Sequence, residues 1–162
     1  MKKILDATCG SRSIWFDKSN PDTLYVDRRE GDRDLKTVRG GVKHSRIHPD
    51  LIADFTDLPF EDNSFYLVVF DPPHLTGIKD SSWLKQQYGE LPDNWQSVIR
   101  KGFEECWRVL KPNGTLIFKW NEVQIPTREV INAIGHDPLF GHRSGKKSQT
   151  HWLAFFKNTQ EE

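Results

Sequence analysis

Ser64-Phe65-Tyr66-Leu67-Val68-Val69-Phe70-Asp71-Pro72-Pro73-His74 is an apolar run that follows the turn residues Glu61-Asp62-Asn63 and ends in an acid and two prolines. A run without polar alternation suits a strand buried on both faces, as in the middle of a parallel sheet. Pro72 and Pro73 fix the chain in an extended form and remove two backbone donors just past the strand. What remains is a cluster of acceptors, the Asp71 carboxylate and nearby carbonyls. Such a cluster is suited to hold an amino group by its hydrogens and leave the nitrogen lone pair free. His74 stands where its ring covers the face of a flat acceptor. A plain strand-ending turn also uses Pro-Pro, so the segment by itself leaves both readings open.

Working outward, the same reading finds other strands. Lys2 to Ala7 is a first strand, and Thr23 to Asp27 a second, after the turn signal Asn20-Pro21-Asp22. Leu51 to Asp54 is a short third, Thr115 to Trp120 follows later, and His151 to Phe156 closes the chain. Trp95, Val98, Ile99, Phe103, Cys106, Trp107 and Leu110 recur at three- and four-residue steps, the period of an amphipathic helix capped by Asp93 or Asn94. The helix is expected to stop at Lys111-Pro112-Asn113-Gly114, where proline cannot continue it and Asn-Gly favours a turn. Ser13 to Lys18 reads as a short helix start, Thr127 as the cap of a helix through Ile134, and the charged stretch 28–49 as a flexible loop. Strands alternating with helices give the α/β class, a layered sandwich.

In open parallel sheets ligands bind beyond the carboxyl ends of the strands, at the switch in strand order. Asp6, Asp27 and Asp71 each end a strand and Asp54 ends a weaker one, more carboxylates on one rim than packing requires. Asp27 is placed to accept hydrogen bonds from a ribose diol, although an ordinary solvated strand end has the same composition. The turn Asp6-Ala7-Thr8-Cys9-Gly10-Ser11-Arg12 consists mostly of small residues that let backbone approach a ligand, with Gly10 free to take positive φ. A structural tight turn accounts for it equally well.

The 162 residues are 36% hydrophobic and 28% charged, which fits one domain over 1–157 followed by a polar tail, 158–162. No run approaches the roughly 18 apolar residues of a membrane span. Lys2-Lys3 has no apolar stretch behind it, so no secretory signal is expected. Cys9 and Cys106 alone give neither a disulfide framework nor a four-cysteine zinc site, and a reducing cytoplasm is the expected setting. With 23 basic and 23 acidic residues, overall charge gives no support for nucleic-acid binding, which then depends on local patches.

Taken together, these segments resemble the class I S-adenosylmethionine (SAM)-dependent methyltransferases. Among them the chain is similar to the adenine-N6 and cytosine-N4 amino-methyltransferases, whose fourth motif reads Asp, Asn or Ser, then Pro-Pro, then an aromatic. The match runs from Ile4 to Phe156 in the unpermuted order. Asp6-Ala7-Thr8-Cys9-Gly10 takes the place of the family's first motif, Asp27 falls on its ribose-binding acid, and Asp54-Phe55 on the residues beside the cofactor's adenine. Asp71-Pro72-Pro73-His74 falls on the catalytic motif, and Trp107 to Gly114 resembles the family's approach to its fifth strand. The resemblance implies a Rossmann-like class I methyltransferase sandwich. Its seven-stranded sheet is mostly parallel with an antiparallel last strand and is flanked by helices.

The resemblance further implies SAM as cofactor, no metal, and in-line methyl transfer to an amino nitrogen held by Asp71 and the Pro72 carbonyl. Asp71 would also border the cofactor. The family normally has glycine where Thr8 stands and often where Arg12 stands, and an aromatic where His74 stands. The short stand-alone form is similar to methyltransferases carried by phages and prophages. The acceptor it favours is a nucleic-acid base, DNA adenine before cytosine or RNA. Arg28, Arg29, Arg33, Lys36, Arg39, Lys43 and Arg46, with the segment His142-Arg143-Ser144-Gly145-Lys146-Lys147-Ser148, form either a phosphate-binding rim or two solvated loops. Trp83, Tyr88 and Trp120 are candidates for base stacking, or for the core and its rim. A protein glutamine or small-molecule nitrogen as acceptor, and a catalytically idle nucleotide-binding module, are the competing readings.

Overall fold

The computed structural model describes residues 2–143 and 148–159. Its strands are β1 (Ile4–Asp6), β2 (Thr23–Asp27), β3 (Gly31–Lys36), β4 (Val42–Ile47), β5 (Leu51–Ile52), β6 (Phe65–Phe70), β7 (Leu110–Asn121), β8 (Phe140–Arg143) and β9 (Thr150–Phe156). The helices are α1 (Trp83–Tyr88), α2 (Trp95–Val109) and α3 (Thr127–Ile134). Seven strands form one sheet in the order β5-β2-β1-β6-β7-β9-β8, and β3 and β4 pair separately. β5, β2, β1, β6 and β7 run parallel, while β9 lies antiparallel between β7 and β8. The architecture is the expected Rossmann-like α/β sheet, mostly parallel with an antiparallel last strand. The chain steps outward from β1 to β2 and β5, then returns to place β6 on the other flank of β1. That reversal opens a crevice at the carboxyl ends of β1 and β6.

One face of the sheet carries the main core. Leu5, Val68, Phe70, Leu116, Phe118, Trp120 and Phe155 pack there against Ile99, Phe103 and Cys106 of α2 and Val130 and Ile134 of α3. The three- and four-residue spacing of Trp95, Ile99, Phe103 and Cys106 puts all of them on the buried side of α2. Full burial of each large side chain is worth about 1.5–3 kcal/mol. Gly102 lets α2 come close: a Cβ there would stand 2.4 Å from Phe55 Cδ2 and 2.9 Å from Phe70 Cζ. The opposite face is covered differently from the expected second helical layer, because α2 and α3 both sit on the first. Over β2, the Trp15 ring meets Tyr25 edge-on at 5.3 Å between centroids.

Several local expectations give way to structure. The stretch 28–49 is not a loop throughout, because β3 and β4 form a regular antiparallel hairpin within it. Its exposed face carries cross-strand contacts of His44 and Arg46 with Asp34 and of Arg46 and His48 with Asp32 in place of apolar side chains. Residues 13–18 form turns and not a helix; Arg12 just before them takes φ 55°, which no right-handed helix admits. Neither Asp93 nor Asn94 caps α2 through its side chain. Asn94 holds the cap position without a side-chain bond. The helix ends at Val109, and Leu110 already belongs to β7. Lys157 Nζ donates to the carbonyls of Trp107 (2.9 Å) and Leu110 (2.7 Å), satisfying acceptors at that helix end. Pro126, not Thr127, is the cap residue of α3. Helix α1 and strand β8 had no recognised sequence signal.

Replacing Gly102 by alanine gains about 1 kcal/mol of helix propensity, but overpacking against Phe55 and Phe70 costs about 1–3 kcal/mol. The net cost is about 0–2 kcal/mol, so the variant is expected to melt no higher than the wild type and up to about 8 °C below it. A higher melting temperature would show that α2 does not approach the sheet as closely as described.

Candidate active site

Asp6 and Asp27 are the last residues of β1 and β2, and Asp71 directly follows β6. A cavity of about 460 Å³ opens on this rim, lined by Thr8, Cys9, Gly10, Arg29, Asp71, Pro72, His74, Gln87, Tyr88 and Lys119 among others. A recess of about 30 Å³ shares Thr8, Arg29, Asp71 and Tyr88 with it and adds Ala7, Asp27, Arg28, Phe55 and Pro73. Most of the residues singled out in the sequence therefore converge. Asp54 lies apart, its carboxylate accepting from Thr56 N–H (2.9 Å) and Thr56 Oγ1 (2.8 Å) in a local turn. Asp6 is buried beneath the rim and lines neither space.

The small-residue turn after β1 is tied into the site by side chains where glycine was expected. Thr8 Oγ1 accepts the Asp71 backbone N–H at 2.8 Å, joining the β1 and β6 loops directly. Arg12 keeps the left-handed φ that glycine adopts freely. Its guanidinium donates to the Lys18 carbonyl (2.6 Å) and the His48 carbonyl (2.7 Å), pairs with Asp50 at 3.2 Å and lies 3.7 Å from the Tyr25 ring centroid. These contacts oppose a local cost of about 1–2 kcal/mol. Below the turn, Asp6 accepts from Trp15 Nε1 at 2.6 Å and from Thr8 N–H at 3.2 Å. Burial pushes the Asp6 carboxyl up to about 7, with smaller contributions from the Asp71 and Asp27 charges, while both hydrogen bonds oppose the rise.

Asp27 is already fully engaged. Oδ1 accepts from Arg29 N–H (2.9 Å) and Nε (3.0 Å), and Oδ2 accepts from Gly10 N–H (2.9 Å) and Arg29 Nη2 (3.1 Å). Those four bonds use the roughly four lone-pair positions of a carboxylate. Arg29 Nη1 also donates to the Gln87 carbonyl at 3.1 Å, linking Asp27 to α1.

At the centre, Lys119 Nζ donates to Asp71 Oδ2 at 2.7 Å. Asp71 Oδ1 makes no protein hydrogen bond among the described residues. Withdrawal from water raises the Asp71 carboxyl above its ordinary value, and the Lys119 ammonium opposes the rise. His74 packs edge-on to Trp120 and tilted to Tyr88, each at 6.3 Å between centroids. Burial, helped by the Lys119 charge, lowers its imidazole to about 4, so the ring is neutral near pH 7. Burial drives the Cys9 thiol up to about 12, so it is not a ready nucleophile. Trp120 is fully buried and is a core residue, not a stacking platform, whereas Tyr88 is exposed at the cavity.

Sequence reasoning did not assign a role to Lys119 or Gln87, and it placed Arg29 only in a phosphate rim. Lys119 had a legible signal, a lone cation in Leu116-Ile117-Phe118-Lys119-Trp120. Gln87 meets the rim only through tertiary folding, whereas Arg29 bonds Asp27 two residues away and reaches the Gln87 carbonyl across the fold. Of the basic segment 142–148, residues 144–147 lie outside the described residues.

No protein-family model and no curated protein matches the chain. Solved structures do. The PH0226 protein of Pyrococcus horikoshii superposes with a TM-score of 0.59 at 16% identity, over 96% of this chain and 81% of that one. The N-methyltransferase NodS of Bradyrhizobium japonicum gives 0.57 at 12% identity, over 97% and 86%. A SAM-dependent methyltransferase of Leishmania major gives 0.53 at 13% identity, over 96% of this chain but only 65% of its own. The likeness is one of fold. At these identities the chemistry has to be argued from the site itself.

The buried setting of His74 has a direct readout. Its imidazole resonances should titrate with a midpoint near 4. A midpoint near the ordinary value of about 6.5 would place the ring in water.

Proposed function

We propose that the protein transfers a methyl group from SAM to an exocyclic amino nitrogen of a nucleic-acid base, with DNA adenine the favoured acceptor. The observation that carries this reading is Asp71. Its Oδ2 is held by Lys119, its backbone N–H by Thr8, and it lines the cavity with Pro72 and His74.

The residues present fit SAM. The cavity volume of about 460 Å³ falls within the roughly 300–1,000 Å³ usual for small-molecule sites. Gly10, at φ 49°, leaves the turn open to close approach: even a Cβ there would meet nothing nearer than Arg29 Nη2 at 4.0 Å. Ala7 to Gly10 would border the amino-acid part of the cofactor, Asp27 its ribose, and Phe55 its adenine. Asp6 would support the turn from below, and Asp54 would reach the adenine only by leaving its local bonds to Thr56. Because the acceptor positions of Asp27 are filled, ribose hydroxyls gain access only when the Arg29 guanidinium swings away. SAM supplies an electrophilic methyl on a sulfonium centre.

The chain's own contribution is positioning and charge. Asp71 Oδ1 and the Pro72 carbonyl accept the two amino hydrogens, which leaves the nitrogen lone pair directed at the methyl group. The carboxylate offsets positive charge as it develops on the nitrogen, then takes the departing proton directly or through water. Neutral His74 and exposed Tyr88 offer ring faces to a flat acceptor. The hairpin 31–47 supports a nucleic-acid partner. It carries five basic side chains against two carboxylates, with Arg33, Lys36 and Arg39 exposed, and β3 contacts α1 at the cavity. Phosphate contacts there would confer salt-dependent affinity.

Asp71→Ala should lower methyl transfer to DNA at least about 100-fold while SAM affinity by calorimetry stays within about threefold. Retained transfer would remove Asp71 from the reaction. Asp27→Ala should weaken SAM binding more than tenfold, about 1.4 kcal/mol or above, whereas Arg29→Met should tighten it severalfold by removing the internal competitor. Unchanged affinity in both would place the ribose elsewhere. Labelled transfer to separate DNA, RNA and protein pools decides the acceptor class.

A further inference from the structure

Lys119 belongs to none of the segments that carry the proposed chemistry, yet it makes the closest polar contact with the central carboxylate. Phe118 of β7 pairs with Phe70 of β6 in parallel register, so the next residues along, Lys119 within β7 and Asp71 just past β6, face each other. The contact is 2.7 Å, with side chains 26% and 24% exposed, so the pair is partly withdrawn from water. A surface pair of this length would contribute little. Here the ammonium engages one carboxylate oxygen, Oδ2, while Oδ1 makes no hydrogen bond among the described residues, and both residues line the cavity.

We infer that Lys119 is a positioning residue for methyl transfer: through its contact with Oδ2 it favours the charged form of the Asp71 carboxylate and leaves Oδ1 free for the acceptor. This rests on the proposed reaction at Asp71. The surrounding charges make Lys119 the controlling one. From β1, Asp6 disfavours a second negative charge. On the same loop His74 is neutral near pH 7. From the β2 side, Arg29 is committed to Asp27, and in α1 Lys85 is committed to Asp80 and Glu90. Desolvation of Asp71 favours its protonated form, in which the acceptor role is weakened. Lys119 also lowers the basicity of the carboxylate it orients. Removing it therefore leaves a stronger base that is protonated over more of the pH range, and the defect should be recovered at alkaline pH.

The test compares wild type, Lys119→Met and Lys119→Arg in the full chain. Carboxyl carbon NMR of Asp71, assigned with Asp71→Asn, should show a midpoint at least about one pH unit higher in Lys119→Met than in wild type. Lys119→Arg should stay close to wild type. Transfer by Lys119→Met should fall at least about tenfold at pH 6.5, return to within about threefold of wild type at pH 9, and leave SAM affinity unchanged. An unaltered Asp71 midpoint, or an equal loss of transfer at every pH in a folded variant, would overturn the inference. If wild-type protein transfers no methyl group to nucleic acid, the proposed function and the role of Lys119 in it both fail. The NMR midpoints still decide whether Lys119 controls Asp71.

Discussion

The hydrogen bond from the Asp71 backbone N–H to Thr8 Oγ1, at 2.8 Å, joins the loops that leave β1 and β6. These two strands are neighbours in the sheet but distant in the chain, and the reversal of strand order between them is what opens the crevice. Without a link, each loop would find its own position, since connecting segments are the mobile part of such folds. With it, the turn expected to approach the cofactor and the acid expected to hold the acceptor are placed relative to one another. Trp15 and Asp6 brace the first loop from beneath, and Lys119 braces the second from the side.

This arrangement explains residues that depart from the resembled pattern. Threonine at position 8 has a hydroxyl that glycine lacks, and that hydroxyl forms the link. Arginine at position 12 holds a glycine-like backbone through its guanidinium, which reaches Lys18, His48 and Asp50. The loop thus keeps its shape by side-chain bracing where conformational freedom would otherwise serve. His74 is likewise set by its surroundings, a neutral ring between Tyr88 and Trp120.

The strands that build the rim were legible because they are runs of apolar residues closed by acids, a local pattern. Helix α2 was legible for the same reason, with Ile99, Phe103 and Cys106 marking one face. The hairpin β3–β4 was not, because its exposed face carries charged side chains such as Arg46 and Asp34 and leaves no apolar period. Strand β8, with exposed Phe140, and the six-residue helix α1 are too short to show periodicity. At the site, the sequence placed Asp27 and Asp71 on one rim but had no means of showing their partners. Arg29 sits two residues from Asp27 and supplies three of its four hydrogen bonds, and Lys119 reaches Asp71 only through the parallel pairing of β6 and β7. The second contact joins residues on strands far apart in the chain, which no local pattern brings together.

The account stands on Asp71 directing SAM-dependent methylation of a base amino group. Its most direct test is mass spectrometry of nucleosides from the DNA and RNA of cells producing either the wild-type protein or Asp71→Ala. The account predicts an N6-methyladenine signal in DNA that appears with the wild-type protein and is absent with the variant. Equal methylated-nucleoside levels in the two, for every base, would contradict it.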